Sequence, residues 1–87
     1  MKNFEVLWLE IAEKIANQDP NSGSYRLSAA GVHEIGKKVL EEAGESWIAA
    51  EYQSNNELAI EISQTIYYLI LLAQTRGLKI EEIYREF

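Results

Sequence analysis

Residues 39–64, VLEEAGESWIAAEYQSNNELAIEISQ, hold two helical patterns interrupted once. Before the interruption, Val32, Ile35, Val39, Leu40, Ala43 and Trp47 recur at the three- and four-residue spacing of a helix face, and after it Leu58, Ile62, Ile66, Leu69, Ile70 and Ala73 do the same. The interruption, Gln53-Ser54-Asn55-Asn56, is short and polar, and Ser54 or Asn55 suits the N-cap of a new helix. Two long helices joined by so short a link fold back on each other as an antiparallel hairpin.

Working outward, the first long helix begins near Ser28, a plausible N-cap, and reaches about Tyr52 with Gly31, Gly36 and Gly44 against it. Each glycine costs about 1 kcal/mol relative to alanine, which suggests close approach of another helix or a ligand. The second long helix runs to about Arg76 and stops at Gly77, and Leu78–Phe87 reads as a short final helix packed through Tyr84 and Phe87. Upstream, Phe4, Leu7, Trp8, Ile11, Ala12 and Ile15 mark an amphipathic helix, followed by a loop over Asn17–Ser24 that holds the only proline. The expectation is an all-α chain of four helices, a hairpin with flanking helices, forming one domain over residues 1–87.

Eight Lys and Arg face 14 Asp and Glu in 87 residues, a formal charge of −6. With no basic cluster longer than Lys37-Lys38, nucleic acid is an unsuitable partner, because that role needs several cations to displace phosphate counterions. A phosphate-bearing small molecule is compatible, since carboxylates hold Mg²⁺ and the metal holds phosphate. No cysteine and a single histidine, His33, mean that any metal site is built from oxygen. The apolar run Ile66–Ala73 is far short of a membrane span and the N-terminus lacks signal-peptide order, so the expectation is no membrane and a cytoplasmic location.

Around the second long helix a polar stripe of Glu57, Glu61, Gln64 and Tyr68 lies apart from the polar seam Asn56, Ser63 and Gln74. Ile60, Tyr67 and Leu71 add apolar surface beyond what one intrachain partner covers, and the excess points to a second subunit. On the first long helix Lys38, Glu42 and Glu45 border the apolar side, where Trp47 is expected in the core. In an antiparallel hairpin Glu42 and Glu45 converge with Glu61 and Gln64, and carboxylates so placed repel unless a divalent cation sits between them. The competing reading is a set of ordinary solvated glutamates, with Lys38/Glu42 a surface ion pair. His33, two turns before Glu42, reads as structural or interfacial.

The runs GVHEIGKKVLEEAGESWIAAE (31–51) and NNELAIEISQTIYYLILLAQTRGLKIEEIYREF (55–87) resemble the phosphoribosyl-ATP pyrophosphohydrolases, with a weaker echo in Gly23-Ser24-Tyr25. The E-E-x-x-E motif at Glu41-Glu42-Ala43-Gly44-Glu45 and the acidic position at Glu61 are shared with the wider all-α nucleoside-triphosphate pyrophosphohydrolases, MazG-like and dimeric dUTPase-like. That wider pattern expects aspartate where this chain has Gln64. The resemblance implies Mg-dependent hydrolysis of phosphoribosyl-ATP to phosphoribosyl-AMP and pyrophosphate by a homodimer. It assigns catalysis to Glu41, Glu42, Glu45 and Glu61, the metal to Glu42, Glu45, Glu61 and Gln64, and substrate contacts to Lys38, Tyr25, Arg26 and Tyr68. Two other functions compete: a general dNTP pyrophosphohydrolase, and a helical dimerisation module that has lost activity, for which Gln64 is the sole argument.

Overall fold

Gln53 ends one long helix and Ser54 starts the next. Its hydroxyl accepts from the Glu57 N–H at 3.2 Å, and Gln53 before it is extended. In the computed structural model, which describes residues 1–87, the elements are α1 (Phe4–Ala16), α2 (Gly23–Ala30), α3 (Val32–Tyr52), α4 (Asn55–Arg76) and α5 (Ile80–Tyr84), with no strand. The α3–α4 pair is the expected hairpin, and the fold is all-α as read from the sequence. Gly77 takes the left-handed conformation at φ +90°, and the Leu78 N–H returns to the Ala73 carbonyl at 2.9 Å, closing α4 as anticipated.

There are five helices rather than four. Ser22 caps α2 by accepting from the Tyr25 N–H at 3.3 Å, so Tyr25 and Arg26 stand on a helix and not on a loop, and Ser28 lies within that helix. The break comes at Gly31, where φ +108° and ψ 173° belong to a region that only glycine occupies without strain. At Gly36 and Gly44 no neighbouring element of this protomer lies within 4 Å of where a Cβ would stand, so the close approach expected there is not made by another helix of the same chain. The substitution Gly31→Ala should therefore cost about 1–3 kcal/mol. Gly36→Ala should add about 0.5–1 kcal/mol, and urea unfolding of the two variants would give opposite signs.

Ile11, Ile35, Ile70 and Leu71 form the fully enclosed core, with Phe4, Leu7, Trp8, Val39 and Tyr67 packed against it. Helix α1 packs on α2 and α4, and α2 also meets α3 and α4, so one side of the hairpin is covered. Gln74 donates to the Trp8 carbonyl at 2.8 Å and the Ser28 and Thr75 hydroxyls meet at 2.7 Å, pinning α1 and α2 to α4. This cover fixes which arc of α4 is inside. Ile70 and Ala73 are buried as the periodicity indicates, but Ile62, Ile66 and Leu69 of the same expected side face out, while Leu71, expected as surplus surface, is 0 % exposed and Tyr67 packs on the core. Gln74, expected in a solvated seam, is half-buried.

Trp47 is 70 % exposed, not core, because the row of α3 that meets α4 runs through Ile35, Val39, Glu42, Ser46 and Ala49. Tyr84 packs on Phe4 at 5.7 Å between ring centroids and donates to Glu5 at 3.0 Å, while Phe87 is exposed. His33 is exposed on the first turn of α3. No helix is long and apolar enough to cross a membrane.

Candidate active site

Glu42 occupies a position in the α3–α4 seam that its spacing would give to an apolar residue, and it is only 9 % exposed. One turn on, Glu45 follows it, and Glu61 of α4 comes from the other side. One carboxylate oxygen of each lies within 4.8 Å of the other two. Just beyond, the Ser46 and Thr65 hydroxyls meet at 3.1 Å across the seam, each also 2.9 Å from a carbonyl one turn back, those of Glu42 and Glu61. With one proton apiece, one hydroxyl donates to its carbonyl while the other donates across the seam. These contacts fix the separation of the two helices beside the carboxylates.

Like charges so close favour protonation. Glu45 is pushed above the usual carboxylate range, first by sharing a proton with Glu61 and then by partial desolvation. The Oε2 atom of Glu61 is buried and has no hydrogen-bond partner, which is costly for a carboxylate unless a cation meets it. A hard cation with ligands at about 2.1 Å holds their oxygens no more than about 4.2 Å apart, so the trio needs to close by only a fraction of an ångström. The residues fit a divalent ion such as Mg²⁺.

The other expected site residues divide. Glu41 stays out of the trio and pairs with Lys38 at 3.5 Å. Gln64 is exposed, one turn beyond Glu61. Lys38 sits 5.7 Å from the Tyr68 ring centroid, and its pKa is raised chiefly by Glu41 and then by Tyr68. Both Lys38 and Tyr68 line a cleft of about 840 Å³, along with Arg26 from α2; Tyr25 does not.

Three residues of this cleft went unread in the sequence as site residues. Lys14, at the end of α1, donates to the Tyr67 hydroxyl at 3.3 Å, and that hydroxyl also hydrogen-bonds Ser24. Tyr67 was assigned to a subunit contact, and nothing in the residues around Lys14 separates it from a surface lysine. Only the Gly23-Ser24-Tyr25 echo hinted at Ser24.

A helical hairpin that gathers three glutamates next to a cleft lined by Lys14, Arg26 and Lys38 is consistent with the all-helical pyrophosphohydrolases that the sequence resembles. The sequence model of one branch, described as "PRA-PH: Phosphoribosyl-ATP pyrophosphohydrolase", matches residues 8–87. A phosphoribosyl-ATP pyrophosphatase of Bifidobacterium animalis subsp. lactis is 48 % identical over 85 residues, covering 98 % of each chain. One of Salinibacter ruber is 48 % identical over 84 residues, covering 97 % of each. The chain belongs to the phosphoribosyl-ATP pyrophosphohydrolase family and is a hydrolase.

Proposed function

We propose that this chain hydrolyses the α–β phosphoanhydride of phosphoribosyl-ATP to give phosphoribosyl-AMP and pyrophosphate, the second step of histidine biosynthesis, using Mg²⁺ held by Glu42, Glu45 and Glu61. The observation that carries the chemistry is the convergence of these carboxylates around the orphaned Glu61 oxygen. The substrate is supported by the names of relatives that match almost end to end.

The ion, when bound, neutralises charge on the polyphosphate oxygens and makes water more acidic. The chain's own residues do the rest. Lys38 leaves its exposed, solvent-screened pairing with Glu41 for the stronger charge of a phosphate. Glu41, released on the same turn, orients the attacking water and takes its proton. Water adds to one phosphorus of the α–β anhydride, the bond from that phosphorus to the bridging oxygen breaks with the oxygen keeping the electron pair, and phosphoribosyl-AMP and pyrophosphate result. Gln64 supplies a neutral amide one turn beyond Glu61, suited to holding a water rather than an ion. Tyr68 braces the Lys38 ammonium against its ring.

The working unit in this reading is a homodimer. Only seven of 87 residues are buried, while Leu40, Trp47 and Ile48 of α3 and Ile62, Ile66 and Leu69 of α4 are exposed. So small a core is marginal alone, and apolar surface of this extent is what a second subunit covers.

The test is pyrophosphate release from phosphoribosyl-ATP, ATP and the dNTPs, each with Mg²⁺ and with chelator. Turnover should vanish with chelator, and kcat/KM should favour phosphoribosyl-ATP by about 100-fold or more. Turnover of dNTPs alone would sink the assignment.

A further inference from the structure

The chain carries 14 carboxylates against eight basic residues, so its cations are expected to be paired. Lys2, Lys37 and Lys38 are, each within 4 Å of a glutamate. Lys14, Arg26, Arg76, Lys79 and Arg85 have no such partner, and of these five only Lys14 and Arg26 line the cleft. Each is held by neutral oxygens instead. Arg26 donates to the Pro20 carbonyl at 2.8 Å, and Lys14 to the Tyr67 hydroxyl at 3.3 Å, which Ser24 fixes from its other side. The Lys14 ammonium also lies 5.5 Å from the Tyr67 ring centroid.

Of the two acids of the cleft wall, Glu34 pairs at 3.1 Å with Lys37, a lysine outside the cleft, and Asp19 accepts from the Asn21 N–H at 2.9 Å while keeping its charge, which leaves the cleft with a cationic excess. Two unpaired cations and two hydroxyls, in a cavity of nucleotide size, make a seat for an anion. The seat is separate from the metal trio: Tyr67 stands six residues beyond Glu61 on α4, about 9 Å along the helix axis. An anhydride held at the trio leaves this distance to be spanned by the rest of the molecule.

We propose that Lys14 and Arg26, positioned by Ser24 and Tyr67, bind a phosphomonoester at the far end of the substrate, and that this seat selects a nucleotide carrying a second phosphorylated sugar over an ordinary nucleoside triphosphate. The inference rests on the reading of the trio as the anhydride site. Under that reading the ligand is the 5-phosphate of the ribose attached across the purine from the triphosphate. Such a group is close to a dianion at pH 7, which matches two unpaired cations.

The full-length protein, without metal, is titrated with ribose 5-phosphate at millimolar concentration and followed by amide chemical shifts. Binding should map to α1, α2 and Tyr67, weaken at least tenfold in Lys14→Met and in Arg26→Met, and recover to within about threefold in Lys14→Arg. Far-UV circular dichroism checks that each variant is folded, and Tyr67→Phe, which keeps the ring in the core, should weaken binding severalfold. In turnover, Lys14→Met should raise KM for phosphoribosyl-ATP at least tenfold, with a smaller fall in kcat and a smaller rise in KM for ATP. Ribose 5-phosphate binding that is absent or indifferent to both substitutions overturns the proposal. So does an equal rise in KM for both nucleotides, which would place the triphosphate in the cleft. If the wild-type protein releases no pyrophosphate from phosphoribosyl-ATP while ribose 5-phosphate still binds through Lys14 and Arg26, the substrate assignment falls and the phosphomonoester seat stands.

Discussion

Glu61→Gln should lower pyrophosphate release by a factor of about 10²–10³ while leaving every helix in place. The side chain keeps its shape, but one of three anionic oxygens becomes a neutral amide at the point where transition-state charge must be offset, and removal of a single such group is worth about 3–4 kcal/mol. The same change should raise the stability of the metal-free protein, because it removes a buried unpartnered carboxylate oxygen from beside Glu45. The pH dependence follows. In the folded chain Glu45 holds its proton above the usual range, so the unfolded chain releases that proton first, and metal-free stability falls as pH rises through the interval between the two values. Glu61→Gln should flatten that fall. Mg²⁺ should raise the melting temperature of the wild-type protein and leave the variant unmoved. A variant that turns over at the wild-type rate would remove the trio from the mechanism.

Leu71→Ala should cost about 3–5 kcal/mol, measured by urea unfolding, a large share of the roughly 4–13 kcal/mol expected for a chain of this length. Leu71 is wholly enclosed in the cluster with Ile11, Ile35 and Ile70, where α1 and α2 close over the hairpin, and the cavity left behind has little means to collapse. Leu69, two residues earlier, is 47 % exposed and gives the contrast. Leu69→Glu should leave the protomer's own core intact and shift sedimentation toward the monomer, with a stability loss that depends on protein concentration. Concentration-independent unfolding of Leu69→Glu, with no change in sedimentation, would contradict the proposed dimer face.

The hairpin was legible because a short polar link between two strong periodicities leaves few alternatives, and Ser54 and Gly77 each perform the cap their residue types favour. The convergence of Glu42, Glu45 and Glu61 was legible for the same reason, once the two helices were known to be antiparallel. The faces of α4 were not. Its apolar residues surround most of the helix, so periodicity alone does not say which arc α1 and α2 will cover, and Leu71 and Leu69 exchanged places. Gly31 was missed because its residue type is shared with Gly36 and Gly44; only the backbone angle singles it out. Lys14 and Tyr67 lie far apart in sequence, and their meeting depends on how α1 docks, which no local pattern encodes.

The two-residue link between α3 and α4 also bears on the order of assembly. Glu42, Glu45 and Glu61 belong to one contiguous stretch that closes through Gln53 and Ser54, so the entropy lost in bringing them together is that of a short loop. Lys14 and Ser24 reach Tyr67 only after much longer loops have closed. Contacts of short sequence separation form fastest, which places the carboxylate trio early in folding and the cationic cleft late. A nascent or partly unfolded chain can thus gather its three carboxylates before the cleft beside them exists.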